Sequence, residues 1–63
     1  MRKVTKEEYE DLHPRAQGYI FYMQVAWNDE ISKECPYAKD SKDYFEFFQG
    51  EFQAILEVQD SEE

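Results

Sequence analysis

Residues 40–60 read Asp40-Ser41-Lys42-Asp43-Tyr44-Phe45-Glu46-Phe47-Phe48-Gln49-Gly50-Glu51-Phe52-Gln53-Ala54-Ile55-Leu56-Glu57-Val58-Gln59-Asp60. At 100° per residue the apolar members Tyr44, Phe45, Phe47, Phe48, Phe52, Ala54, Ile55, Leu56 and Val58 spread over about half of a helix circumference. Asp40 or Ser41 suits an N-cap, and Asp43 and Glu46 suit the positive end of the macrodipole, so a helix is expected over about 41–60. Gly50 interrupts the helix at a cost of about 1 kcal/mol relative to Ala, for which close approach of another helix is the plainest reason.

Working outward, the same period recurs upstream. From Pro14 to about Ile31, the positions Ala16, Tyr19, Ile20, Met23, Ala26 and Trp27 fall at i, i+3, i+4, i+7 spacing, with Phe21, Tyr22 and Val25 outside the stripe. Pro14 fits the first turn of that helix and closes the element before it. Thr5-Lys6-Glu7-Glu8 reads as a capping box for a short helix over about 5–12. Between the two long helices, Cys35-Pro36-Tyr37 sits in a connection of roughly ten residues. The expected fold is all-α: one domain spanning 1–63, a helical hairpin with a short amino-terminal helix, dimerising into a four-helix bundle.

The dimer follows from size. A chain of 63 residues buries only ~60% of the surface its unfolded form exposes, so small domains enlist disulfides, metals or partner subunits. Cys35 is the only cysteine and His13 the only histidine, which rules out an internal disulfide and falls short of a structural zinc set. Association remains. Eleven aromatics exceed what a hairpin can enclose, and aromatic side chains dominate protein interfaces. Tyr19, Phe21, Tyr22, Met23 and Trp27 of the second helix, with Phe47, Phe48 and Phe52 of the third, are the expected self-interface.

Charge narrows the partners. The net charge is −8, and residues 32–63 hold three Lys/Arg against nine Asp/Glu, whereas residues 1–31 hold four against six. Direct nucleic-acid binding needs a basic stripe and is not expected. The longest apolar run, Tyr19 to Met23, is too short to cross a bilayer, and the charged amino terminus lacks a signal-peptide apolar region. With a lone thiol, these features point to a soluble cytoplasmic protein.

Candidate chemistry is sparse. His13 has no nucleophile beside it, Cys35 lies closer to Glu34 than to Lys33 or Lys39 in activating reach, and the carboxylate pairs Glu7-Glu8, Asp29-Glu30 and Asp40 with Asp43 have no pocket to converge in. No phosphate loop, metal motif or nucleophile triad occurs. No catalytic residue, metal or cofactor is expected, and the chain reads as non-enzymatic. An acidic nucleic-acid mimic built on Asp43, Glu46, Glu51, Glu57 and Asp60 is the alternative, though Glu51 falls far around the helix from Glu46 and Glu57.

Two resemblances complete the reading. Gly18, Cys35-Pro36-Tyr37 and Phe48-Gln49-Gly50 resemble the Gly, Cys-Pro-Tyr, aromatic-x-Gly frame of ribosome modulation factor and its relatives. That likeness implies a two-helix hairpin with the Cys-Pro-Tyr turn between helices, and a ribosome-associated factor as a further alternative; the ribosome-binding members are basic, so binding to ribosomal RNA does not carry over. The whole chain, from Met1-Arg2-Lys3-Val4-Thr5-Lys6-Glu7-Glu8-Tyr9 to Glu57-Val58-Gln59-Asp60, resembles the small early proteins encoded in the exo-xis region of lambdoid bacteriophages. What that implies is an accessory regulator in the host bacterial cytoplasm, disturbing the host cell cycle or favouring lytic development over lysogeny. Its partners would be a second copy and an unidentified host or phage protein.

Overall fold

The computed structural model describes residues 2–61, which form three helices: α1 (Lys6–Asp11), α2 (Pro14–Gln24) and α3 (Lys42–Ser61). The described residues contain no strand. The acidic tail Asp60-Ser61-Glu62-Glu63 is expected from the sequence to fray; Asp60 and Ser61 continue α3, and Glu62 and Glu63 lie outside the described residues.

Local chemistry sets most of the boundaries. The capping box closes as expected: Glu8 N donates to Thr5 Oγ1 at 3.2 Å, and Thr5 N to Glu8 Oε1 at 3.1 Å. Pro14 occupies the first turn of α2, and His13 Nδ1 accepts from Arg15 N at 3.3 Å as its N-cap. Ser41 begins α3, its Oγ accepting from Tyr44 N at 3.1 Å.

The carboxyl end of α2 differs from the expected helix over 14–31. It stops at Gln24, and residues 25–41 form turns and bends. Asn28 ends the helix by redirecting its followers: its Oδ1 takes Glu30 N at 3.0 Å and its carbonyl takes Ile31 N at 3.2 Å. Such side-chain and turn bonds satisfy the backbone locally and compete with helix propagation. The connection is therefore longer than the roughly ten residues expected, and it contributes Ile31, 3% exposed, to the core.

The helices α2 and α3 cross where two glycines meet. A Cβ built on Gly18 would fall well inside 3.0 Å of the Phe47 carbonyl, and one built on Gly50 would do the same to the carbonyl of Arg15. The reciprocity means that each Cα–H points at a carbonyl oxygen across the crossing, the arrangement of a weak Cα–H···O contact. Close backbones let Phe47 reach through: it is 1% exposed, edge-on to Phe21 (centroids 5.2 Å) and to Tyr37 (6.2 Å). Val4, Tyr9, Ile31 and Phe47 are the buried centre, with Leu12, Ile20, Phe21, Val25, Cys35 and Tyr37 packed around it.

The buried face of α2 is not the expected apolar stripe. Gln17, Gly18 and Gln24 are its buried residues, and Asn28 beyond it is 1% exposed. Gln17, Phe21, Gln24 and Asn28 lie at i, i+4, i+7, i+11 and share one side, whereas Ala26 and Trp27 are exposed. Buried amides are tolerable only when hydrogen-bonded, and these are: Gln17 Nε2 donates to Tyr9 O at 2.8 Å and Gln17 Oε1 accepts from Tyr37 Oη.

Two changes test the crossing. Gly18→Ala and Gly50→Ala are each expected to destabilise the fold by at least about 2 kcal/mol in urea, because overpacking against an unyielding backbone exceeds the ~1 kcal/mol gain in helix propensity. Gln49→Ala, on the exposed side, is expected to change it by under about 0.5 kcal/mol. A stabilised Gly50→Ala chain would show that the helices do not meet there.

Candidate interaction surface

The buried side of α3 is narrow, comprising Phe47, Gly50 and Ala54 with half-buried Tyr44, Glu51 and Val58 beside them. Phe45, Phe48, Phe52 and Leu56 lie on the other side and are 61%, 56%, 54% and 46% exposed. Their spacing of three, four and four residues makes a continuous stripe. Gln49 and Gln59 share that sector, and no charged residue does. Phe45, Phe48, Phe52 and Leu56 line a shallow groove of about 630 Å³ with Arg15, Gln49 and Gln53. Arg15 Nη2 donates to Gln53 Oε1 at 3.4 Å, placing a cation at its edge.

The expected self-interface divides on this geometry. Phe48 and Phe52 are on the open stripe. Phe47 is enclosed within a single chain and has no surface to offer a partner, whereas Phe21 is half-buried against it. Phe47 and Phe48 part in this way because adjacent helical residues point about 100° apart. Tyr22 and Trp27 are exposed on α2 and just beyond it, Met23 is half-buried, and Trp27 Nε1 donates to Met23 O at 3.1 Å. Tyr19 donates its hydroxyl to Glu57 Oε2 at 2.5 Å, and that hydrogen bond raises its pKa above the ordinary tyrosine value. Phe45 and Leu56 were not among the expected interface residues; their place at one turn either side of Phe48 and Phe52 is the signal that finds them.

The Cys35-Pro36-Tyr37 segment lies between α2 and α3 and serves the core. Tyr37 bonds Gln17 and contacts the Phe47 ring, Cys35 packs half-buried beside them, and Pro36 is exposed. Among the described residues, no group of three or more His, Cys, Asp or Glu side chains is placed to hold a metal ion.

Carboxylates on α3 do not form one free row. Glu46 Oε2 lies 3.7 Å from His13 Nε2, Glu57 accepts from Tyr19, and Glu51 turns toward the core. Burial pushes the Glu51 carboxyl above the ordinary carboxylate range. Glu8 shifts the other way, to about 2, through hydrogen bonds from Arg2 first and then from Thr5. Among the described residues, no helix is long and apolar enough to cross a membrane. Comparison with known proteins finds no matching family model, no matching curated protein and no matching solved structure.

The two shifted glutamates give opposite pH dependences. Glu51, raised in the folded state, opposes folding above its ordinary range and ceases to do so below it; Glu8, lowered, supports folding above that range and loses this as pH falls toward about 2. Glu51→Gln is therefore expected to melt higher than the parent at pH 7 and together with it near pH 4. Thermal denaturation followed by circular dichroism at both pH values checks this, and an equal gain at both would contradict the assignment.

Proposed function

We propose that this chain is a non-enzymatic accessory protein that works by stoichiometric protein–protein binding as a homodimer, through the outer face of α3. One observation carries the reading: a charge-free stripe of three phenylalanines and a leucine lies open on a chain of net charge −8. Exposed apolar patches of this kind mark interaction sites or invite aggregation. With three rings and a leucine roughly half exposed, the stripe offers roughly 400 Å² of apolar surface per copy. Two copies supply about the apolar centre that a standard interface of roughly 1,200–2,000 Å² requires.

Charge layout favours antiparallel pairing. The amino end of α3 is balanced, Lys39 and Lys42 against Asp40 and Asp43, whereas Glu57 and Asp60 make its carboxyl end acidic. Antiparallel helices set each acidic end beside the partner's neutral end; parallel ones would stack the two acidic ends and align the macrodipoles. In that register Phe45 faces the partner's Ile55 and Leu56, and Phe48 faces the partner's Phe52. A two-fold pair of α2/α3 units makes the four-helix assembly.

The resemblance to the exo-xis region proteins of lambdoid phages supports placing this binder in the host bacterial cytoplasm, early in lytic development, where an acidic dimer would engage a host or phage protein. Trp27 and Tyr22, away from the α3 stripe, are the side chains left for that contact. Nucleic-acid mimicry is disfavoured by the engagement of Glu46 and Glu57 and the inward turn of Glu51.

Light scattering after size-exclusion chromatography is expected to give a dimer at micromolar concentration. Phe48→Glu and Phe52→Glu are each expected to weaken it at least about 100-fold while keeping the helical spectrum, since each leaves a charge facing an apolar partner. In a Cys35→Ser background, Phe45→Cys and Leu56→Cys chains are expected to form an intermolecular disulfide when mixed and none when separate. Copies of position 45 would lie about 15 Å apart in antiparallel register. A folded monomer at these concentrations would refute the dimer.

A further inference from the structure

The amino-terminal residues before α1 form an extended strap held by two amides that are otherwise inaccessible. Gln24 and Asn28 are 0% and 1% exposed. Val4 N donates to Gln24 Oε1 at 3.0 Å, Gln24 Nε2 donates to Arg2 O at 2.7 Å, and Asn28 Nδ2 donates to Val4 O at 2.8 Å and to Gln24 Oε1 at 2.8 Å. All three strap bonds engage main-chain atoms, so the amides treat residues 2–4 as the edge of a sheet treats an added strand. Val4 packs in the core cluster, Lys3 reaches Asp29 at 3.1 Å and Arg2 pairs with Glu8 at 2.8 Å. Glu30 adds a third carboxylate, accepting from Lys6 N at 3.3 Å.

Two features separate this arrangement from an ordinary terminal contact. The α1 cap is complete without residues 2–4, because Thr5 and Glu8 satisfy each other and Tyr9 N bonds Thr5 O at 2.9 Å. Lifting the strap would open the Gln24 and Asn28 amides to solvent without unwinding a helix, and another extended main chain offers them the same donors and acceptors. Beside the strap lies an open groove of about 640 Å³, walled by Arg2 and Val4 and continuing to Leu12, Ala16 and Ile20. It provides apolar length for a segment longer than the strap.

We propose that Gln24 and Asn28 form a recognition site for an extended, cationic segment of another protein, which residues 2–4 occupy in cis and hold closed. The ligand chemistry follows from the walls: main-chain donors and acceptors for the amides, a β-branched aliphatic residue for the Val4 position, and cations before it for the carboxylates of Glu8 and Asp29. This surface is distinct from the α3 stripe and does not depend on the dimer. Binding competes with the strap at the high effective concentration of an intramolecular segment, so the site opens only to a longer or better-fitting chain.

The test uses a fluorescein-labelled peptide, Met-Arg-Lys-Val-Thr-Lys-Glu, titrated by anisotropy onto the full chain carrying Val4→Glu, which frees the site. Saturable binding is expected, at least about tenfold tighter than to the unmodified chain. Methylation of the peptide's valine nitrogen, or Glu in place of its Arg and Lys, is expected to weaken it at least about tenfold. No binding to a chain that remains helical, or binding indifferent to N-methylation, overturns the proposal. Should Val4→Glu unfold the chain, the ¹⁵N-labelled unmodified chain in millimolar peptide replaces it: joint shifts of the Val4 amide and Gln24 side-chain amide are expected, and unmoved resonances overturn it. If the Val4→Glu chain captures the strap of admixed unmodified chains as readily as free peptide, the occupant is a second copy and the external-partner assignment falls.

Discussion

The backbone contact between Gly18 and Gly50 is the constraint on which the other features depend. Each glycine presents a bare Cα to a carbonyl of the facing helix, and a methyl group at either place would collide with main chain that cannot step aside. Because the axes come so close, little volume remains between α2 and α3 for side chains. One ring, Phe47, fills the space beside the crossing, and Phe21 and Tyr37 close around it. The remaining phenylalanines of α3 are excluded by geometry, not by polarity. A wider crossing would have let more of them in; this one turns Phe45, Phe48 and Phe52 outward.

The close crossing also shapes what supports it. With its glycine face on α3, α2 presents Gln17, Gln24 and Asn28 to the amino-terminal segment and the long connection. Those regions lack regular secondary structure, so their main-chain groups need partners that helices supply internally. Gln24 and Asn28 provide them, to Arg2 O, Val4 N and Val4 O, and Gln17 serves the Tyr9 carbonyl near the end of α1. A polar interior stripe of this kind is a consequence of covering a helix with extended chain. Tyr9 is the exception: its buried hydroxyl has no hydrogen-bond partner, and burial chiefly drives its pKa upward.

Sequence legibility followed the range of the interaction. The capping box at Thr5 and Glu8, the Pro14 start, the Ser41 cap and the length of α3 are encoded within four residues of where they act, and each was readable. Gly50 was readable as a close approach because a glycine inside a helix needs a reason. The end of α2 was not, since Asn28 is an unremarkable polar residue until its carboxamide is seen to serve Val4 and Glu30 together. Hydropathy likewise assigns Gln24 to solvent, although it is fully buried. Of the aromatics expected on one interface, Phe48 and Phe52 lie open, Phe21 is half-buried and Phe47 is enclosed. Separating adjacent aromatics requires knowing which helix face the glycine brings inward, and Gly50 with Phe47 and Ala54 on one side would have decided it.

The aromatic surplus thus divides between an intrachain ring cluster and an open stripe, which we propose a second copy covers. Isotope-filtered nuclear Overhauser spectroscopy on a mixture of ¹³C-labelled and unlabelled chains tests that division most directly. Intermolecular contacts are predicted from the rings of Phe45, Phe48 and Phe52 and the methyls of Leu56, with Phe47 showing only intramolecular contacts to Phe21 and Tyr37. Intermolecular contacts from Phe47 would contradict it, because a ring enclosed at the glycine crossing cannot reach another chain.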